Sequence, residues 1–502
     1  MKDTFNALIQ FSPFGGQLTL DDVKGNTSGK LNPENNIVTV IGADRDMYTY
    51  IPVSGCPHAK QTQVLLVLRD NNSFESAEKL MKELSLDKLA EENNFVLLFP
   101  NPTIDGWNYQ QDENKDNDIQ YLARCFAALP KSKGHVSGFN GMIFYLGTTP
   151  ASSAMVTTLA IKSPMDAASI MVTDFPKSYY LPEGKNAEQV AWICGKNETL
   201  ESYLSKVNQI ATVSQVNGIT VHSNPLNGCV RHFISDKGLS AEEVEKAWNL
   251  MFSETRRWRN DTFGTYQPRI DFATKGFVRH YEDDSLGVNN GFKHTWYEYV
   301  PQQLRGTSEK VPLVLYFHGI NCVGLYGAEQ SGLSDIADKE NFIVVFPDPA
   351  IEERWNAWDD PRLPGDVSYI MALIENMKTI YPIDESRIYI SGFSMGSMFT
   401  NALACSYPDV FAAALAFNGP HVGYLTTLDE SKKGMAQFRP NTVINDLPVW
   451  DKKTSPIHDL ADQKKAQYDY RMPFVQFIGL EDGVGFGFNR IWPVTGPDDG
   501  SW

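Results

Sequence analysis

The residues of this chain best suited to chemistry lie at 392–396 and read Gly-Phe-Ser-Met-Gly. The pattern G-x-S-x-G is typical of a serine on a sharp turn between a strand and a helix, with its Oγ exposed above the sheet. The two glycines let such a turn close without a Cβ clash. Residues 387–390 read as the strand before the turn, and residues 397–406 read as the helix after it. We therefore predict that Ser394 is a nucleophile.

The elements that must position this serine alternate between strands and helices. Apolar runs predict strands at 277–281, 295–300, 313–317, 342–346, 387–390, 412–417 and 473–478, and amphipathic runs predict helices at 333–340, 366–379 and 397–406. Apolar strands that alternate with helices form a mostly parallel sheet with helices on both faces, so the predicted fold class is α/β. In such a sheet the catalytic side chains lie at the carboxyl ends of the strands.

The sequence also contains an internal repeat. Three pairs of segments match in the same order and at nearly the same spacing, namely 48–52 with 297–301, 92–102 with 339–349, and 107–108 with 355–356. An ordered series of this kind indicates two copies of one domain. We predict a lead-in segment at 1–30, a first copy at 31–262 and a second copy at 263–502. A helix over 240–258, with Ser240 as its N-cap, would precede the boundary.

The composition narrows the class of partner. The chain of 502 residues carries a formal net charge of −17, whereas binding to nucleic acid or to an anionic membrane requires clustered Lys and Arg. No apolar stretch is long enough to span a membrane, and the six cysteines are scattered, which predicts neither a metal site nor a disulfide framework. The amino terminus lacks the apolar core of a signal peptide, so we expect a cytoplasmic protein, without excluding secretion. The oligomeric state stays open.

An ordered set of short motifs runs through the second copy, at 316–319, 346–348, 355–356, 365–367 and 389–396. With these motifs the second copy resembles the α/β-hydrolase esterases of the polyhydroxybutyrate depolymerase and feruloyl esterase group. The resemblance implies two tandem α/β-hydrolase domains, and a serine hydrolase that cleaves a small-molecule or polymeric carboxylic ester without a cofactor. A serine peptidase of the same fold and a non-catalytic binding protein are the alternatives. Trp355, within one motif, would either belong to the core or line an aryl or acyl pocket.

The resemblance also implies roles for individual residues. Ser394 would attack the ester carbonyl and form an acyl-enzyme, and the backbone N–H of Met395 would donate one hydrogen bond to the oxyanion. The second donor would come from the loop after His318, at Ile320 or Asn321. His318 itself would shape this loop and would not act as the general base.

The rest of the catalytic triad is harder to assign. The family pattern Gly-x-x-Asp after the last predicted strand favours Asp482 as the acid, with Glu481 as the near alternative. This fold orders its triad Ser, Asp, His, yet no histidine follows Asp482 in the sequence. We expect that the chain stops before the last strand and the histidine loop. Otherwise His421 or His458, in a long insertion before Asp482, would act as the base, or the second copy would be inactive by itself.

The first copy lacks the catalytic parts of the second. Residues 147–151 read Gly-Thr-Thr-Pro-Ala, so that Thr149 takes the place of the nucleophilic serine. Pro150 follows it and has no N–H to offer an oxyanion. Arg69 and Asp70 take the place of the His-Gly pair. We therefore predict a degenerate domain that shapes the pocket of the second copy or mediates dimer contacts.

Overall fold

The computed structural model describes residues 29–32, 37–40, 45–52, 58, 60–126, 140–259, 263–350, 354–357, 363–419, 460, 463–464, 466–467 and 472–477. The chain divides into two compact units, Met1–Arg269 and Ile270–Trp502. Each unit is built on its own large sheet.

The first unit contains an 11-stranded sheet in the order β1-β2-β3-β5-β4-β6-β7-β8-β11-β10-β9. Its strands are β1 (Gly29–Asn32), β2 (Ile37–Val40), β3 (Arg45–Tyr50), β4 (Val64–Leu68), β5 (Val96–Pro100), β6 (Ile143–Gly147), β7 (Ser169–Val172), β8 (Val190–Cys194), β9 (Thr212–Val216), β10 (Ile219–Ser223) and β11 (Arg231–Ser235). The central strands, from β5 to β11, pair in parallel. The strands at both edges are antiparallel.

Helices connect the parallel strands of the first unit. They are α1 (Phe74–Glu83), α2 (Leu86–Asn93), α3 (Asp118–Cys125), α4 (Pro150–Lys162), α5 (Glu198–Val207) and α6 (Ala241–Ala247), with a 3-10 turn at Pro164–Asp166 and a π-helix at Trp248–Phe252. A two-stranded ribbon, β12 (Arg257–Trp258) and β13 (Thr265–Tyr266), follows. Along β4, Leu65 and Val67 pack in one apolar cluster while Val64 and Leu66 pack in another. Because successive side chains of a strand point to opposite faces, this sheet is buried on both faces.

The second unit contains a seven-stranded sheet in the order β14-β15-β17-β16-β18-β19-β20. Its strands are β14 (Val278–Asp283), β15 (His294–Tyr299), β16 (Val311–Phe317), β17 (Ile343–Pro347), β18 (Ile383–Phe393), β19 (Ala413–Phe417) and β20 (Phe474–Phe477). The first two pairings are antiparallel and the others are parallel. Its helices are α7 (Phe272–Lys275), α8 (Gly324–Ser331), α9 (Leu333–Glu340), α10 (Asp366–Ile380) and α11 (Met395–Ser406), with a 3-10 turn at Gln302–Leu304. The predicted α/β class is confirmed.

One predicted helix needs correction, and one observed helix was not predicted. The helix predicted over 240–258 is regular only through α6, because the backbone widens into the π-helix and then extends into β12. Its predicted N-cap is correct, since the Ser240 side chain accepts the Glu243 N–H. Helix α8 was not predicted, because its two glycines lower helix propensity. The structure explains them, since a Cβ at Gly324 would lie 2.4 Å from the Phe346 carbonyl oxygen.

Within the part of the chain that the structure describes, no helix combines the length and the apolar character needed to cross a bilayer.

Candidate active site

The predicted nucleophile lies at the junction of β18 and α11. Ser394 separates the two elements and adopts φ 55° and ψ −115°. Its N–H donates to the carbonyl oxygen of Phe417, the last residue of β19, at 2.8 Å. A non-glycine residue in such a region of φ/ψ space costs on the order of 1–3 kcal/mol and persists only where its surroundings enforce it. The strained turn expected from the motif is therefore present at this serine.

The two glycines of the motif allow the turn to pack tightly. A Cβ at Gly392 would lie 2.3 Å from the Gly396 carbonyl oxygen, and a Cβ at Gly396 would lie 2.0 Å from that of Phe317. Real Cβ atoms do not approach backbone so closely, so both positions require glycine. The second contact places the start of α11 directly against the end of β16.

The loop after β16 lies beside the serine. A Cβ built on Gly319 would be 3.3 Å from the Ser394 Cβ. Ile320 packs at the edge of the apolar core, and Asn321 adopts a left-handed conformation at φ 56°. Met395 is the first residue of α11, where backbone N–H groups have no partner within the helix. The loop after β16 and the start of α11 therefore both adjoin Ser394, and the donor roles of Met395 and Ile320 stay predictions.

His318 is fully buried and is engaged with its own loop. Its Nδ1 lies 2.8 Å from the Gly319 carbonyl oxygen, and its Nε2 lies 3.6 Å from Oδ1 of Asp348. The same Asp348 oxygen accepts the N–H of Gly324, at the start of α8. Asp348 thus binds the end of the loop at Gly324 and lies near His318 at its start, and the loop-shaping role of His318 stays a prediction.

Trp355 belongs to the core. The residue is 1% exposed, and its ring packs against those of Phe317 and Phe399, with ring centroids 5.1 Å and 4.8 Å away. Its Nε1–H donates to the His318 carbonyl oxygen at 2.8 Å. These contacts favour the core alternative for this residue, and pocket lining stays a prediction.

One buried carboxylate in this region lies within the motif at 365–367, but it received no role of its own in the sequence analysis. Asp366, the first residue of α10, is 0% exposed and accepts the backbone N–H groups of Ala350 at 2.7 Å and of Asn356 at 2.5 Å. Asn356 adjoins Trp355. The sequence offered two signals, the motif itself and an acidic residue opening a helix, and the second is common in helices without any functional role.

The proposed acid and base fall on undescribed parts of the chain. Asp482, Glu481, His421 and His458 all lie outside the described residues, so their roles stay predictions. The carboxyl end of β20, which precedes Asp482 in sequence, adjoins the end of β19, since the Asn418 N–H donates to the Phe477 carbonyl oxygen at 2.7 Å.

The equivalent turn in the first unit is relaxed. Thr149 adopts ordinary extended values, φ −132° and ψ 165°, and is the N-cap of α4. Its Oγ1 lies 2.7 Å from Oδ1 of Asp70 and 2.8 Å from Oγ of Ser152. Pro150 occupies the first helical position. The hydroxyl group is engaged in capping, and the following residue has no N–H, so this turn lacks the geometry described for Ser394.

Comparison with known proteins points to the same part of the chain. Residues 296–435 match the model of the family described as Esterase PHB depolymerase. The match confirms the resemblance to this esterase group. The matched segment starts in β15 and includes the loop after β16, Trp355, Asp366 and the turn at Ser394.

Individual relatives agree with the family match. The chain is similar to poly(3-hydroxyalkanoate) depolymerase C of Paucimonas lemoignei, with 35% identity over 147 residues, which cover 27% of this chain and 33% of the relative. It is also similar to feruloyl esterase B of Thermothelomyces thermophilus, with 32% identity over 193 residues, which cover 37% of this chain and 63% of the relative. The chain thus spans less than two thirds of the length of each of these relatives.

Among solved structures, a fluorophosphonate-binding serine hydrolase of Staphylococcus aureus aligns with 43% of this chain and 87% of its own, at 16% sequence identity and a TM-score of 0.33. A similarity this low adds nothing to the fold assignment, which rests on the strand order and pairing described above.

Proposed function

We propose that the second unit is a serine hydrolase that cleaves carboxylic esters through an acyl-enzyme on Ser394. The observation that carries this proposal is the strained serine at the junction of β18 and α11, with the loop after His318 packed beside it. Backbone strain of this kind is a feature of functional sites. The esterase relatives support an ester as the substrate.

The arrangement supports a two-step reaction. Ser394 Oγ attacks the ester carbonyl while a base takes its proton, and the resulting oxyanion accepts hydrogen bonds from the N–H groups of Met395 and Ile320. The alcohol leaves with that proton, and water then hydrolyses the acyl-enzyme. Asp482 is our candidate for the acid of the triad, and His421 and His458 are the candidates for the base within the printed sequence.

Turnover of p-nitrophenyl acetate by wild type and Ser394→Ala tests the proposal. We expect the substitution to lower kcat by several orders of magnitude, up to about 10⁶-fold, because the nucleophile of such a unit carries most of the rate enhancement. Thr149→Ala, at the equivalent turn of the first unit, is the matched control and should leave kcat unchanged. Equal turnover by wild type and Ser394→Ala would overturn the proposal.

Assays of the same enzyme preparation with an ester and with a peptide amide separate an esterase from a peptidase and from a non-catalytic binding protein. A peptidase would also cleave a chromogenic peptide amide, whereas we expect cleavage of esters alone. A non-catalytic binding protein would show no Ser394-dependent turnover of either substrate. Whether the natural ester is a small molecule or a polymer, and whether the protein is cytoplasmic, stay predictions that follow from the resemblance and from the amino-terminal sequence.

We further propose that the first unit is a catalytically inactive copy of the second. The strand order β3-β5-β4-β6-β7-β8 of the first sheet has the same connectivity as β15-β17-β16-β18-β19-β20 of the second. The capping role of Thr149 and the proline after it support inactivity. A fluorophosphonate should therefore fail to label the Ser394→Ala variant, although that variant still carries Thr149.

A further inference from the structure

A chain of buried contacts links α10 to the loop beside the serine. Asp366 holds the N–H of Asn356, the neighbouring Trp355 donates its indole N–H to the His318 carbonyl oxygen, and His318 begins the loop that carries Ile320. Both Asp366 and Trp355 are almost completely shielded from solvent. Neither side chain is on the loop, yet together they fix the carbonyl from which the loop starts.

The first unit contains the same chain of contacts without the catalytic residues. Asp118, which opens α3, accepts the Asn108 N–H at 2.6 Å, and Trp107 donates its Nε1–H to the Arg69 carbonyl oxygen at 2.9 Å. A difference at the carboxylate is that Arg45 pairs with the other oxygen of Asp118 at 2.6 Å, whereas the corresponding oxygen of Asp366 accepts a backbone N–H. A substitution at Asp118 therefore serves as a control that separates a role of Asp366 in catalysis from a role in folding.

We infer that Asp366 is a positioning residue for the oxyanion loop, acting through Asn356 and Trp355. This inference rests on the proposed esterase function. A carboxylate is the side chain that suits the site, because both of its oxygens receive N–H groups. An asparagine can accept at only one of these positions, and its NH₂ group would face an N–H at the other. The loop would then move away from the place where the oxyanion forms.

The expected effect is on kcat. A displacement on the order of 1 Å in a catalytic site can cost about 10²-fold in rate. Because the loop donor acts mainly on the transition state, we expect Asp366→Asn to lower kcat on this scale and to leave KM within about twofold. Loss of folding alone would reduce the amount of active enzyme but would not change the activity of each folded molecule.

The matched substitution is Asp118→Asn. It removes an equally buried carboxylate with the same role in local structure, and it also breaks the pair with Arg45. We expect it to lower the melting temperature at least as much as Asp366→Asn, with kcat unchanged. A second pair, Trp355→Phe and Trp107→Phe, removes the indole N–H and keeps a smaller aromatic ring in the core. The loss of ring volume is the same in both, so this pair decides the question if Asp366→Asn does not fold.

The experiment measures kcat, KM and the melting temperature of the full chain for all four variants with p-nitrophenyl acetate. A loss of kcat in Asp366→Asn and Trp355→Phe, with none in Asp118→Asn and Trp107→Phe, is the predicted result. If the wild type is active and Asp366→Asn and Trp355→Phe have the same kcat as the wild type, the positioning role is wrong and the proposed function stands. Inactive wild type would overturn the proposed function, and the positioning role with it.

Discussion

The strain at Ser394 is the residue-scale feature that most separates the two units. Ser394 lies in the turn between β18 and α11. The end of β19 accepts its N–H, and the end of β16 packs against Gly396 in the same turn. Thr149 has the same place in the first unit but an unstrained backbone. A hydroxyl group at the right position in sequence is therefore insufficient, and the surrounding glycines and carbonyl groups determine whether it can serve as a nucleophile.

Gly396→Ala tests this dependence. The added Cβ would meet the Phe317 carbonyl oxygen at 2.0 Å, so α11 must shift away from β16. We expect a loss of about 1–3 kcal/mol in the free energy of unfolding, together with loss of ester turnover. Urea denaturation and p-nitrophenyl acetate turnover measure the two effects. Gly238→Ala, where nothing lies within 4 Å of the added Cβ, is the control. Normal activity in Gly396→Ala would show that the tight turn is dispensable.

At the scale of elements, the helix that follows each turn begins differently. In the first unit the Thr149 side chain accepts the Ser152 N–H, and the Ser152 side chain accepts the Thr149 N–H in return. In the second unit the Ser394 side chain makes no such cap. Helix α4 therefore gains stability from a capping residue whose counterpart before α11 does not cap its helix.

We expect Thr149→Ala to destabilise the protein by about 1 kcal/mol, because it removes an N-cap. Thr149→Ser keeps the capping hydroxyl and should restore most of that stability in urea denaturation. It should gain no reactivity toward a fluorophosphonate, since the turn is relaxed and Pro150 offers no N–H. Labelling of the serine introduced at 149 would contradict the view that the relaxed turn and Pro150 keep the first unit inactive.

The elements of the second unit were predictable because local signals agreed with tertiary structure. Helix α9 has its predicted bounds, and α10 and the strands of the parallel core differ from prediction by a few residues at most, except β18, which starts earlier. Helix α8 was not predictable, since its glycines are explained only by close approach to β15, β16 and β17. Ser394 was predicted from the G-x-S-x-G spacing between a predicted strand and a predicted helix. Asp366 lies in the motif at 365–367 but was given no role, because its partners are backbone groups that the sequence does not reveal.

At the scale of the whole molecule, each unit contains a buried histidine that resists protonation. Burial, with a smaller effect from the stacked ring of His222, lowers the pKa of His232 to about 3. Burial lowers the pKa of His294 to about 4, in a site where its ring stacks on Tyr369. In the unfolded chain both would titrate near about 6.5. The unfolded state therefore binds more protons below that pH, and stability falls as the pH falls.

We expect this loss to extend from about pH 6.5 down to about pH 3 for His232 and to about pH 4 for His294. Each histidine should contribute a slope of up to about 1.4 kcal/mol per pH unit within its window. Urea denaturation of His232→Phe and His294→Phe at several pH values measures the contribution as a shallower slope than that of wild type. An unchanged slope in both variants would show that these rings are protonated in the folded protein.

The central claim is that one hydroxyl group, at Ser394, is a reactive nucleophile and that its counterpart at Thr149 is not. The direct measurement is to label the full chain with a fluorophosphonate and to locate the adduct by peptide mass spectrometry. We predict a single adduct on Ser394, absent from Ser394→Ala and unchanged in Thr149→Ala. No adduct, an adduct on Thr149, or labelling that persists in Ser394→Ala would contradict the account.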